Sequence, residues 1–252
     1  MINFLQELQH RNSAMFYFGL ICLLAGIYFL FRSINSTVKV LGANAWFKPA
    51  KFAFSIVLYA WSMAWYCYYL PLFNIALFNW AVVILLGFEI VYIALQAARG
   101  QLSHYNISTP VYTVLYRLMA VAASAVALLT GYVAVLFFNN TLPGLPAYYL
   151  WGIRLGLILF IVFAFEGAVM GGRLSHTIGG TDGGPGLPFL NWSIKYGDPR
   201  VAHFIGMHAL QLLPLLSYYV LKNSAFTIIA GLLYTLLAVF TLLRALKGKP
   251  TF

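Results

Sequence analysis

Long apolar runs alternate with short polar breaks along the chain. Seven runs meet the roughly 20 mostly apolar residues that a membrane-spanning helix needs: 14–32, 50–70, 74–98, 111–138, 148–170, 201–222 and 224–244. Proline marks the borders. Pro49, Pro71, Pro110, Pro143, Pro146, Pro185, Pro188 and Pro199 fall between the runs or at their edges. Pro214 alone lies deep inside a run, where it removes a backbone hydrogen bond and predicts a kink near Leu210 and Gln211. The runs are too long for barrel strands and lack period-2 alternation. The pattern predicts an all-α integral membrane protein, one transmembrane helical domain over 1–252 built as a bundle of seven spans. Ahead of the first run, Phe4, Leu5 and Leu8 share one helical face, which fits either a short interfacial helix or a frayed terminus. Residues 1–13 carry neither a basic n-region nor a small-residue cleavage site, so a cleaved signal peptide is not expected.

Composition narrows the class further. Hydrophobic residues make up 62% of the chain and charged residues 8%, against about 25% charged in a soluble domain. A soluble surface and a disordered chain are both excluded. The two cysteines, Cys22 and Cys67, exclude a disulfide scaffold. With seven spans the termini lie on opposite sides. One set of connections, with the N-terminus, carries Arg11 and Lys222. The other, with the C-terminus, carries Arg32, Lys39, Lys48, Lys51, Arg99, Arg173, Lys195, Arg200, Arg244, Lys247 and Lys249. The positive-inside rule then predicts an inner-membrane protein with its N-terminus outside and its C-terminus cytoplasmic. The net charge of +10 follows from that bias and from anionic inner-leaflet lipid. The partner it implies is the bilayer, not nucleic acid.

Four ionisable groups fall inside runs: Glu89, Arg117, Arg154 and Glu166. Each is costly alone in hydrocarbon and should face the bundle interior with a partner. From the helical rise, Glu89 is about 14 Å deep, Arg117 about 9 Å and Glu166 about 6 Å from the inner edge. Arg154 sits near the outer face and can snorkel. Arg117 is expected to pair with Glu166 or Glu89. Glu89, Tyr92, Gln96 and Arg99 recur at three- and four-residue steps and share one helix face. That stripe could line a hydrated path or act as hydrogen-bonding glue between helices.

Four histidines, His104, His176, His203 and His208, lie in or just beyond the inner connections. His203 and His208 are five apart and point about 140° apart, which excludes the i,i+4 spacing of a zincin-type pair. Gln211 falls between them in angle. Gly100–His104 (GQLSH) and Gly172–His176 (GRLSH) echo each other, each following a run with a buried glutamate. Imidazole ligates zinc, iron, copper and haem, so His104, His176, His203 and His208 are candidate metal ligands. A histidine just past a helix C-terminus can also serve only as a cap.

The segment 171–200 is a long Gly-rich loop on the cytoplasmic side, with eight glycines in thirty residues. Its glycines can form a backbone nest for an anion or a cofactor's acidic group, with Arg173 beside it, and its Phe189, Leu190 and Trp192 predict packing onto the bundle. It has no Walker or strand-linked GxGxxG pattern, so a nucleotide site is not supported. Asp182 and Asp198 could bind a divalent cation, or serve as turn residues. In GANAWFKPAKF, Asn44, Lys48 and Lys51 could meet lipid headgroups or an acidic substrate, or simply anchor a re-entry turn.

NAWFKPAKF, QAARGQLSHYN, and GGPGLPFLNW followed by DPRVAHFIGMHALQLLP together resemble a bacterial family of uncharacterised multi-pass membrane proteins. The resemblance implies a membrane-embedded helical fold and carries no activity with it.

These readings lead to a polar pocket opening to the cytoplasm. Glu89 and Glu166 would act as ligand or base and Arg117 would stabilise anionic charge. The four histidines would hold a transition metal (Zn, Fe or Cu) or haem, and His208, Gln211 and Arg173 would contact the cofactor. The substrate would be lipid-like or quinone-like, and a homo-oligomer is compatible with this. Two other readings stand beside it: a proton- or ion-coupled transporter or channel in which Glu89, Gln96, Arg117 and Glu166 line a path, and a structural or assembly subunit.

Overall fold

A computed structural model describes residues 2–71 and 73–252. Met1, and Leu72 within the LPLFN connection, lie outside them. The chain is mostly helical: α1 (Ile2–Arg11), α2 (Ser13–Ile34), α3 (Phe47–Cys67), α4 (Ile75–Ala98), α5 (Pro110–Asn139), α6 (Ala147–Arg173), α7 (Pro199–Leu216), a π-helical turn (Ser217–Leu221) and α8 (Ser224–Leu246). Six stretches are long and apolar enough to cross a membrane: α2, α4, α5, α6, α7 with its π-helical extension, and α8. The run expected at 50–70 is a helix too, α3, but it stands outside these six. It begins at Phe47 and so takes in Lys48 and Lys51, and its aromatic and serine positions dilute its apolar character.

Local chemistry explains most boundaries. Asn12, Asn74, Asp198 and Asn223 cap α2, α4, α7 and α8, each side chain accepting a hydrogen bond from a first-turn amide. Pro110 and Pro199 open α5 and α7, where the missing N–H costs nothing. At the end of α6, Leu174 turns left-handed (φ 52°), and the Ser175 amide closes back on the Met170 carbonyl. Backbone geometry therefore ends this helix, not a histidine side chain. Downstream of Pro214, which cannot donate to the ladder, the chain widens into the π-helical turn.

A two-stranded hairpin, Lys39–Val40 with Ala43–Asn44, lies between α2 and α3. Its turn residues Leu41 and Gly42 both have positive φ, as a tight two-residue hairpin demands. Asn44 donates to the Ser33 and Ser36 carbonyls and accepts from the Trp46 amide, so it staples this connection.

Two compact units divide the chain. The first holds residues up to Val126 together with Pro188–Asn191. Here α2 meets α3 where Gly19 and Gly26, two helical turns apart, leave room for Trp61 and Phe54. Asn12 and Asn79 form a reciprocal buried amide pair (2.9 and 2.8 Å). The Arg11 guanidinium lies over Trp65 at 3.8 Å, with Glu7 at 2.7 Å. Leu8 of α1 is buried, whereas Phe4 and Leu5 are exposed.

The second unit holds Ala127–Leu187 and Trp192–Phe252. Its centre is the α6–α7 contact, cored by Leu159, Phe163, Ala202, Ala209, Leu213 and Ala238. Gly152 and Gly156 bring α6 onto the backbone of α7, and a Cβ on Gly156 would stand 2.8 Å from the Ala209 carbonyl oxygen. Gly206 does the same from the α7 side, its bare Cα lying against the Phe163 ring. Outward faces are apolar, among them Ile21, Leu24 and Phe31 of α2 and Leu232, Leu236 and Phe240 of α8. Such faces suit a lipid bilayer, since soluble monomers rarely expose large contiguous apolar patches.

Candidate functional site

Glu166 sits on α6 about 10 Å before its end, and His203 on α7 about 6 Å after its start. The two elements are held in register by the glycine contacts. Gly167 keeps the space beside Glu166 open, since a Cβ there would stand 3.3 Å from His203 Cε1. His203 Nδ1 lies 3.5 Å from Glu166 Oε2. That is long for a hydrogen bond, and Glu166 Oε1, Glu166 Oε2 and His203 Nδ1 are all buried without a hydrogen-bond partner. The Glu166 side chain is 4% exposed and that of His203 31%. A buried acid thus faces an imidazole whose far side reaches the surface of the unit. Farther along α7, His208 Nδ1 hydrogen-bonds Gln211 Oε1 at 3.1 Å, and its ring packs on Phe204 at 4.3 Å.

The first unit holds a second polar group. Glu89, Tyr92 and Gln96 are buried along one face of α4, as the three- and four-residue steps predict, while Arg99 at the end of the stripe is exposed. Gln96 donates to Tyr92 Oη (3.2 Å) and to the Leu102 carbonyl (3.0 Å). Glu89 Oε1 and Gln96 Oε1 are buried without partners. His104 packs on Phe52 (ring centroids 5.6 Å apart), with Ser103 Oγ 3.1 Å from its Nδ1.

Arg117 is exposed on α5 and forms no ion pair among the described residues. It does not take the interior place beside an acid that its depth suggested. Glu166 finds His203 instead. Arg154 behaves as expected, donating to the Phe137 carbonyl (3.0 Å) and lying over Phe138 and Trp151. Arg173 is exposed at the last turn of α6.

Between α6 and α7 the Gly-rich loop folds on itself. Ile178 and Gly197 exchange backbone hydrogen bonds, as do Leu187 with Trp192 and Ile194 with Pro185 in one direction each. Trp192 packs on Phe204 and stacks on Phe252. Phe189 meets Phe47, and Lys51 Nζ donates to the Leu190 carbonyl at 2.7 Å. Both aspartates serve the loop. Asp198 caps α7 and is forked by Arg200. Asp182 accepts from the His176 amide (3.1 and 3.0 Å), from Ser175 Oγ (2.9 Å) and lies 3.2 Å from His176 Nδ1. Burial works against the Asp182 anion, but the hydrogen bonds from the His176 side chain and amide outweigh it, holding the carboxyl well below the usual carboxylate range.

That shift has a readable consequence. A carboxyl with a lowered folded value stabilises its surroundings at every pH above its unfolded value, about 3.9. The contribution is lost as pH falls from there through the lowered value. Amide exchange at His176 should therefore stay protected at neutral pH and open as the solution is taken below about pH 4. In Asp182→Asn the protection should be weak already at neutral pH. Equal protection in both proteins throughout would remove this role from Asp182.

Each imidazole thus has its own neighbour: His104 Ser103 and Phe52, His176 Asp182, His203 Glu166, His208 Gln211. Among the described residues, no group of three or more His, Cys, Asp or Glu side chains is arranged to hold a metal ion. The residues that sequence reasoning passed over are the glycines that make the Glu166–His203 approach possible, Gly152, Gly156, Gly167 and Gly206. Gly152-x-x-x-Gly156 was the visible signal, since small residues four apart mark close helix contacts in membranes. No family model, curated protein or solved structure matches this chain.

Proposed function

We propose that this protein is a proton-coupled transporter of the inner membrane, with Glu166 and His203 carrying the coupling proton. The observation behind this reading is the pair itself: a buried carboxyl and a part-exposed imidazole 3.5 Å apart, their facing atoms Glu166 Oε2 and His203 Nδ1 buried without a hydrogen bond, on helices apolar enough to cross a membrane. An ionised carboxylate without hydrogen bonds is costly in hydrocarbon. A proton held by Glu166, or an imidazolium beside its anion, removes the uncompensated charge. A coupling site requires two states that differ in where one proton sits, and this pair offers an acid and a base to hold it. His203, the more exposed partner, passes the proton to and from water, and Glu166 holds it inside.

The topology in this reading has seven spans, α3 being the seventh, since 21 residues rise about 31 Å as a helix. The basic residues, eleven on one set of connections against two on the other, put the N-terminus outside and the Glu166–His203 end of the bundle toward the cytoplasm. Among the described residues, a metal- or haem-centred reading has no comparable group of side chains in its favour.

The test uses the full chain in liposomes loaded with a pH-sensitive dye and challenged with pools of small solutes. Solute-dependent proton movement is expected, together with a carboxyl infrared difference band. Glu166→Gln should abolish both, and His203→Gln should slow the proton movement while leaving the band in place. Unchanged proton movement and an unchanged band in Glu166→Gln would refute the reading.

A further inference from the structure

We infer that the first unit binds internal water along α4, at the buried acceptors of Glu89 and Gln96. The inference does not rest on the Glu166–His203 reading, because it concerns other residues in the other unit.

Hydrogen-bond accounting leads to it. Gln96 is completely buried, and both hydrogens of its amide are already given, one to Tyr92 Oη and one to the Leu102 carbonyl. The amide orientation is thereby fixed, and its oxygen is left as an acceptor with no donor. Glu89 Oε1, on the same face two turns earlier, is a second buried acceptor with no donor. Two orphaned acceptors in an apolar interior cost several kcal/mol unless something donates to them. Among polar side chains of the stripe, Tyr92 lies between the two.

Gln96 touches Tyr92 directly at 3.2 Å, so the missing donors belong at the two free acceptors, Glu89 Oε1 and Gln96 Oε1. Water is the ordinary donor to buried polar groups left without a protein partner. An ammonium ion also donates without accepting. Water, being neutral, needs no counter-charge in an apolar interior and is the better occupant. The inner wall is apolar, with Tyr92, Ile93 and Met119 packed together and flanked by Phe52, Phe88 and Leu115.

Hydroxyl-radical footprinting reads internal water directly, because radicals formed from bound water oxidise the side chains beside it. The full chain in lipid nanodiscs, in ammonium-free buffer, is irradiated and oxidation is quantified by mass spectrometry. Met119 is buried nearly as deeply as Met15 and Met63 of the same unit. Met119 and Tyr92 should be oxidised several-fold faster than burial allows, whereas Met15 and Met63 stay near background. Gln96→Leu should bring Met119 down to the Met63 rate. Oxidation of Met119 at the Met63 rate in the unsubstituted protein would overturn the inference. So would fast oxidation that neither Gln96→Leu nor Glu89→Leu reduces.

Discussion

Gly206→Leu is expected to yield no folded second unit, while Gly87→Leu folds normally. The difference lies in what a side chain would meet. At Gly206 even a Cβ overlaps the Phe163 ring, and the atoms it strikes are the root of that side chain, not its flexible end. Phe163 is itself buried in the core of the unit and cannot swing away. Relief therefore requires α7 to move off α6. Overpacking a core by a methylene or two costs about 1–3 kcal/mol, which is the expectation for Gly206→Ala. Four carbons in the same place exceed the whole stability of a typical domain once the interface opens. Gly156→Leu should behave alike, since its side chain meets backbone of α7. At Gly87 nothing lies within 4 Å of where a Cβ would stand, so added atoms meet open space. Size-exclusion profiles and thermal melts in detergent read the result. A monodisperse, cooperatively melting Gly206→Leu would show that the α6–α7 contact is not what holds Glu166 to His203.

Asp198→Ala should lower stability by about 3 kcal/mol, the largest effect expected from any single polar side chain here. Asp198 is 1% exposed and its carboxylate accepts four hydrogen bonds. They come from the Arg200 amide (3.1 Å), Arg200 Nε (2.8 Å), the guanidinium terminus of Arg200 (2.6 Å) and the Ser193 amide (2.8 Å). Removing it uncaps α7, strands the Ser193 amide and leaves a cation without its anion. Breaking a buried ion pair costs about 3–5 kcal/mol. Arg200 retains some contact with water, so the lower end applies. Asp198→Asn keeps the cap and forfeits the charge, and should cost about 1–2 kcal/mol. Because α7 begins at this cap and His203 lies in its second turn, proton movement should fall with stability in Asp198→Ala. A melting temperature within a degree or two of the unsubstituted protein would show that Arg200 and Ser193 find other partners.

The helices were legible in the sequence because their signals are local. A run of about 20 apolar residues can satisfy its backbone in hydrocarbon only as a helix. Proline and Asx residues at the run ends fix where α2 and α4 to α8 start, whereas α3 begins after Trp46 with no side-chain cap. The α4 stripe was legible for the same reason, since burial of Glu89, Tyr92 and Gln96 follows from helical periodicity. The hairpin before α3 was not, because it is only two residues to a strand and rests on a turn that puts Leu41 at positive φ.

Sequence alone thus determined the membrane class and the helix positions, both of which follow from short-range composition. Only the tertiary structure decided which buried group meets which. The sequence offered Arg117 as a partner for Glu166; within the second unit, packing brought His203 to the acid. The choice depends on which helix faces can approach closely, and that is set by glycines far apart in the chain, Gly152 and Gly156 against Gly206. A chain read one residue at a time carries no record of that distance. It emerges when the two backbones touch.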